Sequence, residues 1–250
     1  MQDFHGKHIW IIGASSGIGE ALAYELAQRG ATLTISARSK DKLEALNEEL
    51  GGAHHVCPVD ISDLKSVQKS LTCVQKGHYK IDSIINLAAL YDPAKLDDIN
   101  IEKTRTLIDV NLMGMFNLIH TVLPVLQRQG HGQMALCGSV AGFKGLPNGQ
   151  PYSATKAAVI NLAESLKAEN MNMDIKVINP GFVRTPLTDK NDFDMPMMIE
   201  PEEAAKIIAD GLMKKGFEIH FPKKFTFMVK ALKFLPAPLY FKVASRIKGG

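Results

Sequence analysis

The sequence predicts an α/β domain built on a doubly wound parallel sheet, and three observations predict it. Short β-branched or apolar runs alternate with longer amphipathic stretches over most of the 250 residues. A glycine-rich turn, Gly13-Ala14-Ser15-Ser16-Gly17-Ile18-Gly19, separates the first apolar run from the first helical stretch. No repeat, low-complexity linker or change of composition interrupts the alternation before about residue 222. Parallel strands need crossover connections, and right-handed crossovers cover both faces of the sheet with helices. The expectation is one domain, 1–221, followed by a helical extension, 222–250.

In chain order, strands are expected at 8–12 (HIWII), 32–37 (TLTISA), 54–58, 81–86 (IDSIIN), 133–138 (QMALCG), 173–179 (MDIKVIN) and 217–221 (FEIHF). Helices are expected between them at 17–29, 40–50, 62–76, 101–129, 151–170 and 201–215. Ser62 reads as a cap for the third of these, and Pro201 suits the first turn of the last. In the extension, Phe225, Met228, Val229, Leu232 and Leu235 recur at helical intervals beside Lys224, Lys230 and Lys233. Pro236 and Pro238 should break that helix before a second short basic one, 239–248.

Composition narrows the class. At 46% hydrophobic and 22% charged residues the chain reads as globular. No apolar run approaches the roughly 18 residues of a membrane span, and the N-terminus MQDFHGKH lacks the pattern of a signal peptide, so the cytoplasm is the expected location. Cys57, Cys73 and Cys137 are odd in number and scattered without a CxxC pair, which suggests unpaired structural thiols, a reducing compartment and no metal site. The net charge of +3 is uneven: residues 219–250 hold seven of the 29 basic residues and none of the 26 acidic ones. Only the tail is basic, and no nucleic-acid partner is expected.

In a doubly wound sheet, ligands bind beyond the C-terminal strand ends, where the turn after the first strand meets a helix N-terminus. Gly13, Gly17 and Gly19 stand there and would let a backbone approach closely, with free N–H groups and the positive end of the helix dipole favouring a pyrophosphate. The spacing is GxxxGxG, which a turn that binds nothing could also show. After the second strand comes Ser36-Ala37-Arg38-Ser39-Lys40, with no acid before Asp41. A carboxylate here would receive an adenosine ribose, whereas the Arg38 guanidinium would attract a 2′-phosphate, so the expected cofactor is NADP(H) ahead of NAD(H).

The helix from Pro151 carries Tyr152 and Lys156, four apart and therefore on one face. A neighbouring ammonium favours phenolate and would lower the tyrosine pKa toward working pH. Ser139 follows the strand QMALCG, and Asn111 lies within VNLMG of the long helix. With GASSGIG, this ordered set resembles the short-chain dehydrogenase/reductase family of the classical type, with its Rossmann fold, over about residues 5–221.

The resemblance implies that Tyr152 exchanges a proton with the substrate oxygen. Lys156 would lower its pKa and hold the nicotinamide ribose, Ser139 would polarise the substrate oxygen, and Asn111 would hold a water. It also implies cofactor contacts from Gly13, Ser15, Ser16, Gly17, Ile18 and Gly19, from Asp60 and Ile61, and from Asn86 and Ala88. In the Asn179-to-Thr185 segment, contacts are implied for Pro180, Gly181, Val183 and Thr185. Two departures stand out: Ile12 where the family often has threonine, and Asn86-Leu87-Ala88-Ala89 for its NNAG segment. The chain also lacks the VDGG-type finish of many tetrameric members, so a homodimer is expected instead.

Residues 182–200 and 222–248 are rich in Met, Phe and Leu, among them Phe182, Phe193, Met195, Met197, Met198, Phe225, Phe227, Met228, Phe234 and Leu235. Such side chains suit an apolar ligand. The sequence reading is an NADP(H)-dependent carbonyl reductase for lipophilic ketones or aldehydes. Its alternatives are an NAD-linked alcohol or hydroxysteroid dehydrogenase and a non-catalytic cofactor-binding scaffold. The basic, apolar tail is expected to be a lid over the substrate, a weak peripheral contact with anionic membrane, or both.

Overall fold

In a computed structural model describing residues 3–76, 80–190 and 195–246, each apolar run becomes a strand. These are β1 (His8–Ile12), β2 (Thr32–Ser36), β3 (His55–Val56), β4 (Ser83–Asn86), β5 (Gln133–Cys137), β6 (Asp174–Pro180) and β7 (Glu218–Phe221). They form one parallel sheet in the order β3-β2-β1-β4-β5-β6-β7. The helices of the domain are α1 (Gly17–Gln28), α2 (Lys40–Glu49), α3 (Leu64–Lys76), α4 (Ile101–Ile108), α5 (Gly114–Gln129), α6 (Tyr152–Glu169) and α7 (Pro201–Met213).

A two-sided sheet explains why the strands read as continuous apolar runs. Trp10 and Ile12 of β1 point into one core with Val67 and Leu71 of α3, Leu118 and Val122 of α5, and Val159 and Ala163 of α6. Ile9 and Ile11 point into the other, against Leu22 and Leu26 of α1, Leu43 of α2, and Ala205 and Ile208 of α7. Successive side chains of one strand thus hold down helices on opposite faces.

Several local expectations are corrected. The third helix begins at Leu64, not 62, with the Asp63 carboxylate accepting from the Lys65 N–H at 2.9 Å. Ser62 is therefore not the cap; its hydroxyl donates to Asp60 Oδ1 at 2.6 Å. Cys57 and Cys73 are joined in a disulfide rather than standing as thiols, and only Cys137 is free, in a buried position. The stretch 101–129 is helical as expected, but a π turn at Asp109–Met113 divides α4 from α5. By length and composition this stretch could cross a membrane; in the fold it lies along the sheet, with Leu107, Met115, Leu118, Val122 and Leu126 buried.

The extension forms α8 (Lys223–Ala231), a 3₁₀ turn (Leu232–Phe234) and α9 (Ala237–Ala244). The second helix starts earlier than expected, with Pro238 inside its first turn, where a missing N–H does no harm. Phe225, Thr226 and Val229 turn inward, but Met228, expected on the same apolar face, is 54% exposed. Among the contacts that hold the extension down are an ion pair between Lys230 and Glu218 of β7, a hydrogen bond donated by the Tyr240 hydroxyl to the Gly145 carbonyl, and the Lys144 ammonium 4.7 Å from the Tyr240 ring centroid. Phe193 and Lys248 lie outside the described residues.

Candidate active site

The strand order reverses between β1 and β4, and beyond their C-terminal ends lies a cavity of about 810 Å3. Its nucleotide end is shaped by chain-to-chain contact. Gly13 has φ +88°, and a Cβ there would lie 2.6 Å from the Ala88 nitrogen. At Gly19 a Cβ would lie 2.0 Å from the Gly13 carbonyl oxygen. Two of the three glycines are therefore demanded by the protein's own packing, before any ligand arrives. Ser15, Ser16, Gly17, Ile18 and Gly19 line the cavity. Ser16 caps α1 without a side-chain hydrogen bond, so first-turn N–H groups are left for an anionic ligand.

Farther along, Arg38, Ser39 and Lys42 line the wall with Val59, Asp60 and Ile61. Lys40 is committed to Glu44 at 2.9 Å, whereas neither Arg38 nor Lys42 has an ion-pair partner among the described residues. Sequence reasoning missed Lys42. Its signal was a cation in the first turn of a helix, where the dipole disfavours one unless an anion is nearby. The Asp60 carboxylate accepts from both the N–H and the hydroxyl of Ser62, which orients it at the cavity rim.

Two expected residues stand behind the wall. Asn86 is fully buried; its Oδ1 accepts from the Ala88 N–H at 3.1 Å, and its Nδ2 donates to Met115 Sδ at 2.9 Å. It shapes the loop that presents Ala88 and does not itself line the cavity. Asn111, in the π turn, accepts from the Leu90 N–H at 2.7 Å and donates to the Leu90 carbonyl at 2.9 Å and to Thr155 Oγ1 at 3.3 Å. It clasps the loop after β4 to the helix carrying Tyr152 and Lys156.

Ser139, Tyr152 and Lys156 come together in the cavity as expected. Lys156 Nζ lies 5.5 Å from the Tyr152 ring centroid and donates to the Cys137 carbonyl at 2.8 Å. The electrostatics differ from expectation. Burial pushes the Tyr152 phenol well above its ordinary value, the Cys137 thiol adds to this, and a hydrogen bond with Ser139 opposes it. Burial likewise holds the Lys156 ammonium below its ordinary value. Desolvation, not the lysine, sets the phenol's state here. Sequence reasoning also missed Tyr91, whose ring meets that of Tyr152 edge-on at 4.8 Å and 86°.

The remainder of this end is apolar. Leu90, Val110, Leu146, Phe182, Leu187, Phe225 and Val229 line it, beside Pro180, Gly181, Val183 and Thr185. Of the residues expected to form a substrate wall, Phe182 and Phe225 do so, with ring centroids 5.4 Å apart. Met195, Met197, Met198, Phe227, Met228, Phe234 and Leu235 do not line the cavity.

Residues 7–195 match the model of the short chain dehydrogenase family. An uncharacterized oxidoreductase of Staphylococcus epidermidis is 33% identical over 204 residues, covering 81% of this chain and 89% of the relative. One of Myxococcus xanthus is 30% identical over 253 residues, covering 99% of this chain and all of the relative. Among solved structures, an alcohol dehydrogenase from the archaeon Thermococcus sibiricus, complexed with 5-hydroxy-NADP, is 29% identical with a TM-score of 0.79, over 87% of this chain and 96% of that one. A Burkholderia phymatum short-chain dehydrogenase/reductase in complex with NAD shares the fold at 20% identity, with a TM-score of 0.85 over 100% of this chain and 98% of the other. With the glycine turn, the reversal of strand order and the Ser139, Tyr152, Lys156 grouping in one cavity, these likenesses place the chain in the short-chain dehydrogenase family, as an NAD(P)-dependent oxidoreductase.

Proposed function

We propose that the protein is an NADP(H)-dependent reductase of apolar ketones or aldehydes. The observation that carries this reading is the polarity of one cavity: two cations without ion-pair partners among the described residues, Arg38 and Lys42, at one end, and the Tyr152 phenol among apolar side chains at the other. The residues present fit a dinucleotide: an uncapped helix N-terminus for its pyrophosphate, and Arg38, Ser39 and Lys42 for a 2′-phosphate. When bound, the nicotinamide supplies the hydride.

The chain's own residues then manage the proton and the oxygen. A phenol whose pKa is raised by burial keeps its proton at neutral pH, which suits a donor to a developing alkoxide. Ser139, already hydrogen-bonded with that phenol, polarises the same oxygen. Lys156 places a cation beneath the ring, and its bond to the Cys137 carbonyl fixes where that cation stands. Asn111 and Thr155 position the helix turn bearing both groups. On the outside, Ile108, Met113 and Phe116 are exposed along α4 and α5 and provide an apolar face for the proposed homodimer.

The test is initial rates over a panel of apolar and polar aldehydes and ketones with NADPH or NADH. Faster turnover of apolar carbonyls with NADPH is expected. Faster turnover with NADH would transfer the reading to an NAD-linked enzyme, and no turnover with either would leave a cofactor-binding scaffold.

A further inference from the structure

Helix α8 is a wall with two unlike faces. Phe225 and Val229 line the substrate end of the cavity, while Phe227 and Met228, on the other side of the same helix, are 60% and 54% exposed. Beyond them Phe234 is 86% exposed, Leu239 49% and Phe241 65%. Five large apolar side chains exposed between residues 227 and 241 are costly to leave in water and mark a contact surface. Lys223, Lys224, Lys233, Lys242 and Arg246 are exposed in the same stretch of chain. No acidic residue occurs anywhere in 219–250, and the carboxylate nearest in sequence, Glu218, is already bound to Lys230.

We propose that this face docks the protein on an anionic lipid surface, with Phe227, Met228, Phe234, Leu239 and Phe241 entering the boundary between headgroups and acyl chains and the cations meeting lipid phosphates and carboxylates. Charge complementarity selects this occupant. A second copy meeting the patch across a two-fold axis would set lysine against lysine, with no carboxylate on either side to relieve the repulsion. An anionic bilayer supplies the missing negative charge and, unlike water, receives the aromatic and aliphatic bulk. Because the inner face of α8 is cavity wall, docking brings the substrate end of the site to the layer where apolar carbonyl compounds concentrate. That last step rests on the reductase reading; the docking does not.

The experiment is cosedimentation of the full chain with phosphatidylcholine vesicles, with and without phosphatidylserine, at low and high salt. Binding is expected with phosphatidylserine at low salt and should weaken at high salt. Phe234→Ser combined with Phe241→Ser, and separately Lys224→Glu combined with Lys242→Glu, are each expected to reduce it by roughly tenfold or more, since each interfacial cation contributes about fivefold. All four side chains are exposed and outside the cavity, so melting temperature and NADPH binding should stay at wild-type values. No sedimentation with phosphatidylserine at low salt, or binding that survives both sets of substitutions, would overturn the proposal. So would ultracentrifugation showing that the phenylalanine substitutions dissociate a wild-type oligomer, since the patch would then be covered by a second copy. Turnover of a water-soluble aldehyde tests the reductase reading without vesicles, so the two can fail separately.

Discussion

The two ends of the cavity are made of different material. At the nucleotide end, backbone makes the shape: Gly13 against Ala88, Gly19 against the Gly13 carbonyl, and a helix N-terminus without a side-chain cap. At the substrate end the shape comes from side chains drawn from distant parts of the chain, with Tyr91, Leu146, Phe182, Phe225 and Val229 meeting around Tyr152. Backbone geometry leaves few sequence solutions, because only glycine lacks the colliding atom. An apolar wall has many solutions, because residues of similar volume exchange at modest cost. A family can therefore hold its cofactor in one way and vary what it reduces.

Perturbing each end should separate the two kinds of construction. The largest effect is expected from Tyr152→Phe, which deletes one oxygen from the chemistry and leaves both walls standing. Turnover should fall by about 10²–10⁴-fold with NADPH affinity nearly unchanged; steady-state rates and a cofactor titration measure the two, and retained turnover would remove Tyr152 from its role. Next is Gly19→Ala, where one methyl would sit 2.0 Å from a carbonyl oxygen. A destabilisation of about 1–3 kcal/mol is expected by denaturant unfolding, together with weakened cofactor binding. A fully stable variant would show that the turn yields more readily than its contacts suggest.

Arg38→Ala touches side-chain chemistry at the backbone-built end. A charged hydrogen bond contributes about 1.5–3 kcal/mol, so it should remove roughly ten- to a hundredfold of the preference for NADPH over NADH, and Lys42→Ala should remove part of what is left. Equal affinities for both cofactors in the unmodified protein would defeat that assignment.

The smallest effect concerns what presses α8 onto the substrate end. Burial works against ionised Glu218, yet hydrogen bonds from Lys230 and Asn179 hold its carboxyl below the ordinary value. Burial, helped by Lys230 and Lys223, lowers His220, whose Nδ1 pairs with Thr226 of α8 at 2.5 Å. Both signs point the same way. The penalty for protonating His220 appears as pH falls below its unfolded value of about 6.5, and the Glu218 contribution is lost as pH falls from about 4.3 through its lower folded value. Amide exchange should show α8 well protected at neutral pH and losing protection in acid. Glu218→Gln should cost about 1 kcal/mol at neutral pH and remove the more acidic step; a variant with unaltered protection would mean that packing of Phe225 and Val229 alone holds the helix.

The same contrast explains what was legible in the sequence. Strand positions could be read because burial on both faces forces continuous apolar runs, and the glycine turn because it follows the first of them, whereas Ser139, Tyr152 and Lys156 could be grouped through the resemblance of the ordered motifs to the family. Asn86 and Asn111 could be singled out but not placed, since their roles depend on Met115, Leu90 and Thr155, far away in the chain. Tyr91 and Lys42 carried no periodic signal, and the Cys57–Cys73 pairing follows from α3 folding back beside β3. In the extension, helical spacing grouped Met228 with Phe225, but it could not show that the wall would be narrow enough to leave Met228 outside.

The π turn at Asp109–Met113 bears on how this chain tolerates change in length. Each residue inserted into a helix rotates everything after it by about 100°. The extra residue of the wide turn therefore makes α4 and α5 two rotors on one axle, each clocked to its own neighbours: Asn111 toward Leu90 and Thr155, then Met115, Leu118 and Val122 toward the sheet. Removing one residue between Asp109 and Met113 would restore a regular helix and force one setting on both. Either the asparagine would leave its loop or three apolar side chains would leave the core, so this short segment should refuse a deletion even where it accepts substitutions that spare Asn111 and Val110.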